Sequence, residues 1–129
     1  MNSYFENPLY RKAFFEDTDR IMSGFQKDFA LFQSAPDKEL LENIHRYAHS
    51  LKGLSAMMEF KESEQIALSL EAIAGQALKN GLVDLDESKL RAIKNGFDKI
   101  GELLQRIKDA DRPPSAREGA PACNPPADR

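Results

Sequence analysis

The stretch LRAIKNGFDKIGELLQRI, residues 90–107, decides the fold class of this chain. Its large apolar residues recur at alternating steps of three and four, at Leu90, Ile93, Phe97, Ile100, Leu104 and Ile107. This is the period of an amphipathic helix that buries one stripe against neighbouring helices. The preceding Asp86 is a suitable N-cap, because its carboxylate can accept from the free N–H groups of the first turn. The pattern predicts a helix that begins after Asp86.

Three earlier segments have the same apolar spacing. The first carries Phe14, Thr18, Ile21, Phe25, Phe29 and Phe32, the second Leu40, Ile44, Tyr47, Ala48, Leu51, Ser55 and Met58, and the third Ile66, Leu70, Ile73 and Ala77. Pro8 and Pro36 lie where the first two helices begin, and Gly81 is placed to end the third. No segment shows the alternation of a strand. We therefore predict an all-α fold, an antiparallel up-down four-helix bundle.

The composition limits the size and the class of the protein. The chain has 129 residues, of which 41% are hydrophobic and 30% charged, with a net charge of -3. This length fits a single domain, and the weak charge argues against nucleic acid as a partner. No apolar run approaches the roughly 20 residues of a membrane span, and the N-terminus lacks the order of a signal peptide. We expect a cytoplasmic protein with no membrane partner.

The C-terminal residues have a different composition. Five of the seven prolines lie in residues 113–129, which contain no large apolar residue. Such a segment cannot supply a core, so we expect a bundle over residues 1–112 and a flexible tail or interdomain linker over residues 113–129. The single cysteine, Cys123, lies in that tail, which excludes an intrachain disulfide and a multi-cysteine metal site.

The two histidines, His45 and His49, both fall on the second predicted helix. At about 100° per residue, His49 points roughly 140° away from the apolar stripe, so we expect it to face solvent or a partner. Lys52 and Gly53 follow at i+3 and i+4, which puts a cation and a position without side-chain bulk beside the ring. An exposed imidazole in these surroundings is suited to attack phosphorus, provided that a carboxylate such as Glu71 holds its other nitrogen. The same pattern also fits an ordinary surface histidine.

The string Ala48-His49-Ser50-Leu51-Lys52-Gly53 resembles the phosphorylation motif of the histidine phosphotransfer (HPt) family, most closely that of the N-terminal phosphotransfer domain of CheA-type chemotaxis kinases. The resemblance extends over most of the predicted bundle. It includes FFEDTD at residues 14–19, the run from Pro36 to Ile44, and LSLE at residues 68–71. In the family, the glutamate that ends the last of these segments bonds the phosphoacceptor histidine.

The resemblance implies that His49 accepts a phosphoryl group from the ATP-binding domain of a histidine kinase and passes it to an aspartate of a response-regulator receiver. It implies that Lys52 stabilises the phosphoryl oxygens, that Glu71 fixes the ring tautomer and that Gly53 keeps the approach open. No ATP, metal or other cofactor would be bound by the domain itself, in agreement with the lack of a glycine-rich phosphate loop. We expect the isolated domain to be monomeric. Whether it belongs to a larger kinase or stands alone is open.

Three departures from the family pattern follow the motif. Members of the CheA type usually carry small residues after the Lys-Gly pair, whereas this chain has Leu54 and Ala56. Glu59 stands where the family has a glycine. If that position is left-handed, the glutamate is strained by roughly 1 kcal/mol; otherwise the second helix runs on. Leu68 stands where related domains often place a polar residue, and we take it, with His45 and Ala56, as a candidate contact with the partner.

Two other functions compete with phosphotransfer. His45 and His49 have the i, i+4 spacing of two metal ligands on one helix, but the sequence offers no third histidine and its only cysteine lies in the tail, so we expect no metal site. A structural or dimerising bundle is the other alternative, because the spacing in residues 90–107 also suits a coiled coil.

Overall fold

A computed structural model describes residues 6–110 of the chain. It contains four long helices, α1 (Pro8–Ser34), α2 (Lys38–Met57), α3 (Lys61–Asn80) and α4 (Glu87–Ala110), with a short 3₁₀ turn at Leu82–Asp84 before α4. Residues 6–110 contain no strand. The predicted all-α four-helix bundle is confirmed. The proposed tail over residues 113–129, with Cys123, lies outside the described residues.

Side-chain caps explain where three of the helices begin. Each cap accepts a hydrogen bond from a backbone N–H of the first turn: Asn7 from Leu9 at 2.9 Å, Asp37 from Glu39 at 2.7 Å, and Asp86 from Lys89 at 2.9 Å. These bonds satisfy donors that the helix itself leaves free. At the other end of α3, Gly81 has a φ of 103°, a value that residues with a Cβ rarely adopt.

Consecutive helices pack against each other, and contacts between α1 and α4 close the bundle. The rings of Phe25 on α1 and Phe97 on α4 stack with their centroids 3.7 Å apart. Gly96 permits the close approach of α3 to α4, because a Cβ there would lie 2.5 Å from Leu70 Cδ2. Within residues 6–110, each helix is too short or too polar to cross a bilayer.

The predicted inward face of α3 was partly wrong. Its buried residues are Ser63, Ala67, Leu70, Ala74 and Ala77, whereas the expected Ile66 and Ile73 lie half-buried at the edge of the core. Small residues fill the line of contact with the neighbouring helices, and the isoleucines cover its flank. Close helix packing favours small side chains at the contact, so the largest apolar residues do not mark the centre of this face.

A polar cluster joins α1 to α2. Asp28 is only 8% exposed and its Oδ2 accepts hydrogen bonds from Tyr47 Oη at 2.7 Å and Asn43 Nδ2 at 3.3 Å. Burial and the bond to Asp28 raise the pKa of Tyr47 to about 12, so the phenol stays protonated and remains a donor. Gly24 makes room for the ring, since a Cβ there would lie 2.8 Å from Tyr47 Oη.

The connection between α2 and α3 settles the expectation for Glu59. Helix α2 ends at Met57, and Glu59 adopts a φ of 61°, the left-handed conformation. The strained alternative is therefore the observed one. Glycine would adopt this conformation without the clash between Cβ and the backbone.

Glu59→Gly should raise the free energy of unfolding by about 1 kcal/mol, because the strain of the left-handed conformation disappears. Gln65→Gly, at an exposed position inside α3, should lower it by about 1 kcal/mol. Urea unfolding followed by circular dichroism measures both values. If both glycines destabilise the protein equally, the backbone at Glu59 is not strained.

Candidate functional site

His49 lies in the middle of α2 on the side that faces away from the core. Its side chain is 63% exposed, whereas Ala48 and Leu51 on the same helix are fully buried. The helical period accounts for the difference, since it turns residue 49 away from the apolar stripe. The predicted outward orientation of the ring is confirmed.

Glu71 reaches the ring from the neighbouring helix α3. Its Oε2 lies 2.6 Å from His49 Nδ1, and its side chain is only 17% exposed. Leu70, the next residue, is buried in the core and anchors this part of α3. In the neutral ring, a proton on Nδ1 donates to the carboxylate and leaves the lone pair on Nε2. The contact favours the tautomer that an Nε2 nucleophile needs.

Lys52 binds the second oxygen of the same carboxylate. Its Nζ lies 2.7 Å from Glu71 Oε1, so the carboxylate bridges Lys52 and His49. The hydrogen bond from Lys52, assisted by that from His49, lowers the pKa of Glu71 although partial burial acts to raise it. Glu71 therefore stays ionised at neutral pH and continues to accept. We call His49, Lys52 and Glu71 the His49 cluster.

Gly53 lies beside this cluster on the exposed side of α2. A Cβ built at Gly53 would have no atom within 4 Å, so packing of the bundle does not require glycine here. A glycine inside a helix costs about 1 kcal/mol relative to alanine. The surface at Gly53 is therefore open in the described bundle, and its part in admitting a partner stays a prediction.

The three residues expected to contact a partner lie on the surface around the cluster. His45 is half-buried one turn before His49, with its Nε2 3.4 Å from the point where a Cβ of Gly75 would lie. Ala56 is exposed two turns after His49, and Leu68, one turn before Glu71, is 46% exposed. None of the three takes part in the hydrogen bonds of the cluster.

An open cavity of about 420 Å³ adjoins the ring. It is lined by Glu42, His45, Arg46, His49, Glu71 and Leu78. Sequence reasoning missed Arg46 and Leu78. For Arg46 the signal was available, because it precedes His49 by one helical turn on α2; Leu78 comes from α3 and required the packing of the two helices.

The alternative of a metal site at His45 and His49 concerns the same cavity. No group of three or more histidine, cysteine or acidic side chains within residues 6–110 has the geometry to hold an ion. His49 Nδ1 already bonds Glu71, and His45 Nε2 faces Gly75 on α3.

Comparison with known proteins identifies the family. A family model described as the Hpt domain matches residues 10–111, which cover all four helices almost entirely. The chain belongs to the Hpt domain family. The observed bundle and the resemblance noted from the sequence agree with this assignment.

Two curated relatives of this Hpt domain are chemotaxis proteins CheA. The chain is 26% identical to that of Bacillus subtilis (strain 168) over 101 residues, which are 78% of this chain and 15% of the relative. It is 25% identical to that of Halobacterium salinarum over 107 residues, 80% of this chain and 16% of the relative. The chain thus spans about a sixth of the length of these relatives. No solved structure was matched.

Glu71→Ala should change the tautomer of the neutral His49 ring. In the wild type we expect the proton on Nδ1, where it donates to the carboxylate, and in the variant a shift towards the form with the proton on Nε2. Nitrogen-15 NMR of the ring at alkaline pH distinguishes the two forms. Glu64→Ala, two turns away on α3, is the control and should leave the spectrum unchanged. An unaltered tautomer in Glu71→Ala would contradict the role given to this hydrogen bond.

Proposed function

We propose that this Hpt domain carries a phosphoryl group on His49 between the ATP-binding domain of a histidine kinase and an aspartate of a response-regulator receiver. The main support is one observation: the exposed ring of His49 bonds an ionised glutamate through Nδ1, which favours the tautomer with the lone pair on Nε2. Membership of the family and the two CheA relatives support a place in two-component signalling, of the chemotaxis type.

In the first transfer, Nε2 of His49 attacks the γ-phosphorus of ATP bound to the kinase domain. The new N–P bond forms as the P–O bond to the leaving ADP breaks, and the ring gains a positive charge. Glu71 offsets that charge through its contact with Nδ1, so no proton has to leave the ring. The nucleotide and its magnesium ion come with the partner.

In the second transfer, a carboxylate oxygen of the receiver aspartate attacks the same phosphorus. The N–P bond breaks, its electron pair returns to Nε2, and the aspartate becomes an acyl phosphate. The ring returns to its neutral form with the proton still on Nδ1. Glu71 serves both steps because it holds the same proton throughout, which makes His49 a carrier that is unchanged after each cycle.

Lys52 and Gly53 support the transfers in different ways. In the resting cluster the Lys52 ammonium holds Glu71 in place, and it lies one helical turn from His49, where it can offset the charge of an arriving phosphoryl group. Gly53 leaves the surface beside the ring open for the partner. Phosphoryl transfer depends mainly on the positioning of the reacting groups and on stabilisation of charge, and it needs no second side chain that forms a covalent bond.

The remaining proposals concern the chain as a whole. We propose that residues 1–112 form one monomeric bundle and that residues 113–129 act as a flexible tail or linker, on the basis of their composition. The partners are then the kinase domain and the receiver, met in turn in the cytoplasm.

Replacement of His49 tests the proposal most directly. Phosphoramidate, a small donor that needs no protein partner, and a CheA-type kinase core with labelled ATP should both phosphorylate the wild type, and the product should be acid-labile and alkali-stable. His49→Gln should abolish labelling. His45→Gln should retain most of it, since His45 lies one turn away with its Nε2 against Gly75. Loss of label from His45→Gln alone would reverse the assignment, and an unlabelled wild type would favour a structural bundle.

Leu68 tests the proposed contact with the receiver. Because its apolar side chain is exposed one turn from Glu71, Leu68→Gln should raise the KM for transfer to the receiver about fivefold, an effect of about 1 kcal/mol. Val83→Gln is the control, since Val83 is 91% exposed in the distant connection between α3 and α4. Equal kinetics for the two variants would remove Leu68 from the interface.

A further inference from the structure

Arg46 differs from three other arginines of the described bundle in the group that its guanidinium contacts. Arg20, Arg91 and Arg106 each form a salt bridge with a carboxylate of their own helix. Arg46 has no carboxylate at salt-bridge distance within residues 6–110; its Nη1 instead donates to Asn43 Oδ1 at 3.0 Å. A neutral amide, not a carboxylate, holds the guanidinium at the wall of the cavity that adjoins His49.

The contact with Asn43 connects Arg46 to the interior of the bundle. Asn43 Nδ2 donates to Asp28 Oδ2 at 3.3 Å, and the same oxygen accepts from Tyr47 Oη at 2.7 Å. Because Asp28 is buried between α1 and α2, its position is fixed by packing, and the hydrogen bonds that start from it restrict Asn43 and, through Asn43, Arg46. A side chain that is oriented before binding loses less conformational entropy when a partner arrives.

The position of the guanidinium suits contact with a partner and not with the phosphoryl group. Asn43 precedes His49 by six residues, which is about 9 Å along the helix axis at 1.5 Å per residue. The bond to Asn43 holds the guanidinium on the N-terminal side of Arg46, so it reaches away from the ring. Its donors therefore lie at the rim of the cavity.

The side chains around the rim of the cavity carry charges of both signs. Glu42 and Glu71 line the same cavity, and the ammonium of Lys52 is bound to Glu71 at 2.7 Å. An approaching carboxylate meets two negative groups and one cation that is already paired. Arg46 also lines this cavity, and its guanidinium forms no salt bridge with a carboxylate of residues 6–110.

We propose that Arg46 is the electrostatic anchor for the acidic surface around the acceptor aspartate of the receiver. This inference rests on the proposed function. The guanidinium fork binds carboxylates through paired hydrogen bonds, and a charge at the rim of an interface steers the approach of its partner. Arg46 thus determines docking of the receiver, and the chemistry at phosphorus proceeds without it.

The test compares the full chain with Arg46→Gln, Arg46→Lys and Arg106→Gln. Each protein is first phosphorylated with phosphoramidate, then mixed with a purified single-domain chemotaxis receiver and Mg²⁺ at several receiver and salt concentrations. We expect all four to be phosphorylated at the same rate. Arg46→Gln should raise the KM for the receiver about tenfold with kcat unchanged, and the KM should depend less on salt.

The remaining variants separate charge from orientation. Arg46→Lys keeps the charge but loses the planar fork held by Asn43, so its KM should lie between those of the wild type and Arg46→Gln. Arg106→Gln, on the distant α4, should match the wild type.

Two results would overturn the inference: equal KM values for Arg46→Gln and Arg106→Gln, or a fall in kcat at unchanged KM. A wild type that phosphoramidate does not label at His49 would instead refute the proposed function, and the inference with it.

Discussion

The candidate site depends on one carboxylate shared between two helices. Glu71 on α3 bonds His49 through one oxygen and Lys52 through the other, both on α2. Partial burial alone would favour the neutral acid, which could not accept from both neighbours. The Lys52 ammonium reverses that tendency and keeps the group ionised. The orientation of the exposed His49 ring therefore depends on the ion pair between Lys52 and Glu71.

The contacts of α3 and the contact between α1 and α4 are packed with side chains of different size. Along the contact with its neighbours, α3 buries small residues such as Ala67 and Ala74, so its polar side chains can reach across to α2. The contact between α1 and α4 is filled instead by aromatic rings, including Phe25 and Phe97. Tight helix packing holds the cluster in place, and the larger apolar groups elsewhere supply core volume and stability.

Local patterns were sufficient for the helices and for the exposure of His49, because the amphipathic period and the caps are properties of neighbouring residues. Contacts between helices were not readable in this way. Asp28 has its partner Tyr47 nineteen residues away on another helix, and nothing in its own segment marks it as buried. The inward face of α3 was misjudged because side-chain size was taken as a measure of burial. The bond between Lys52 and Glu71 required the distance between α2 and α3.

The surface around His49 carries features that the isolated bundle does not need. Gly53 weakens α2 without relieving any contact, Leu68 exposes apolar area to water, and the Arg46 guanidinium has no carboxylate partner within residues 6–110. Each is neutral or unfavourable for stability. A permanent dimer would be expected to bury a broad apolar face around its centre, whereas here an open glycine, one leucine and one cation surround the exposed ring of His49. Under the proposed function, this arrangement favours brief encounters with the kinase domain and the receiver, because the ring stays accessible between them.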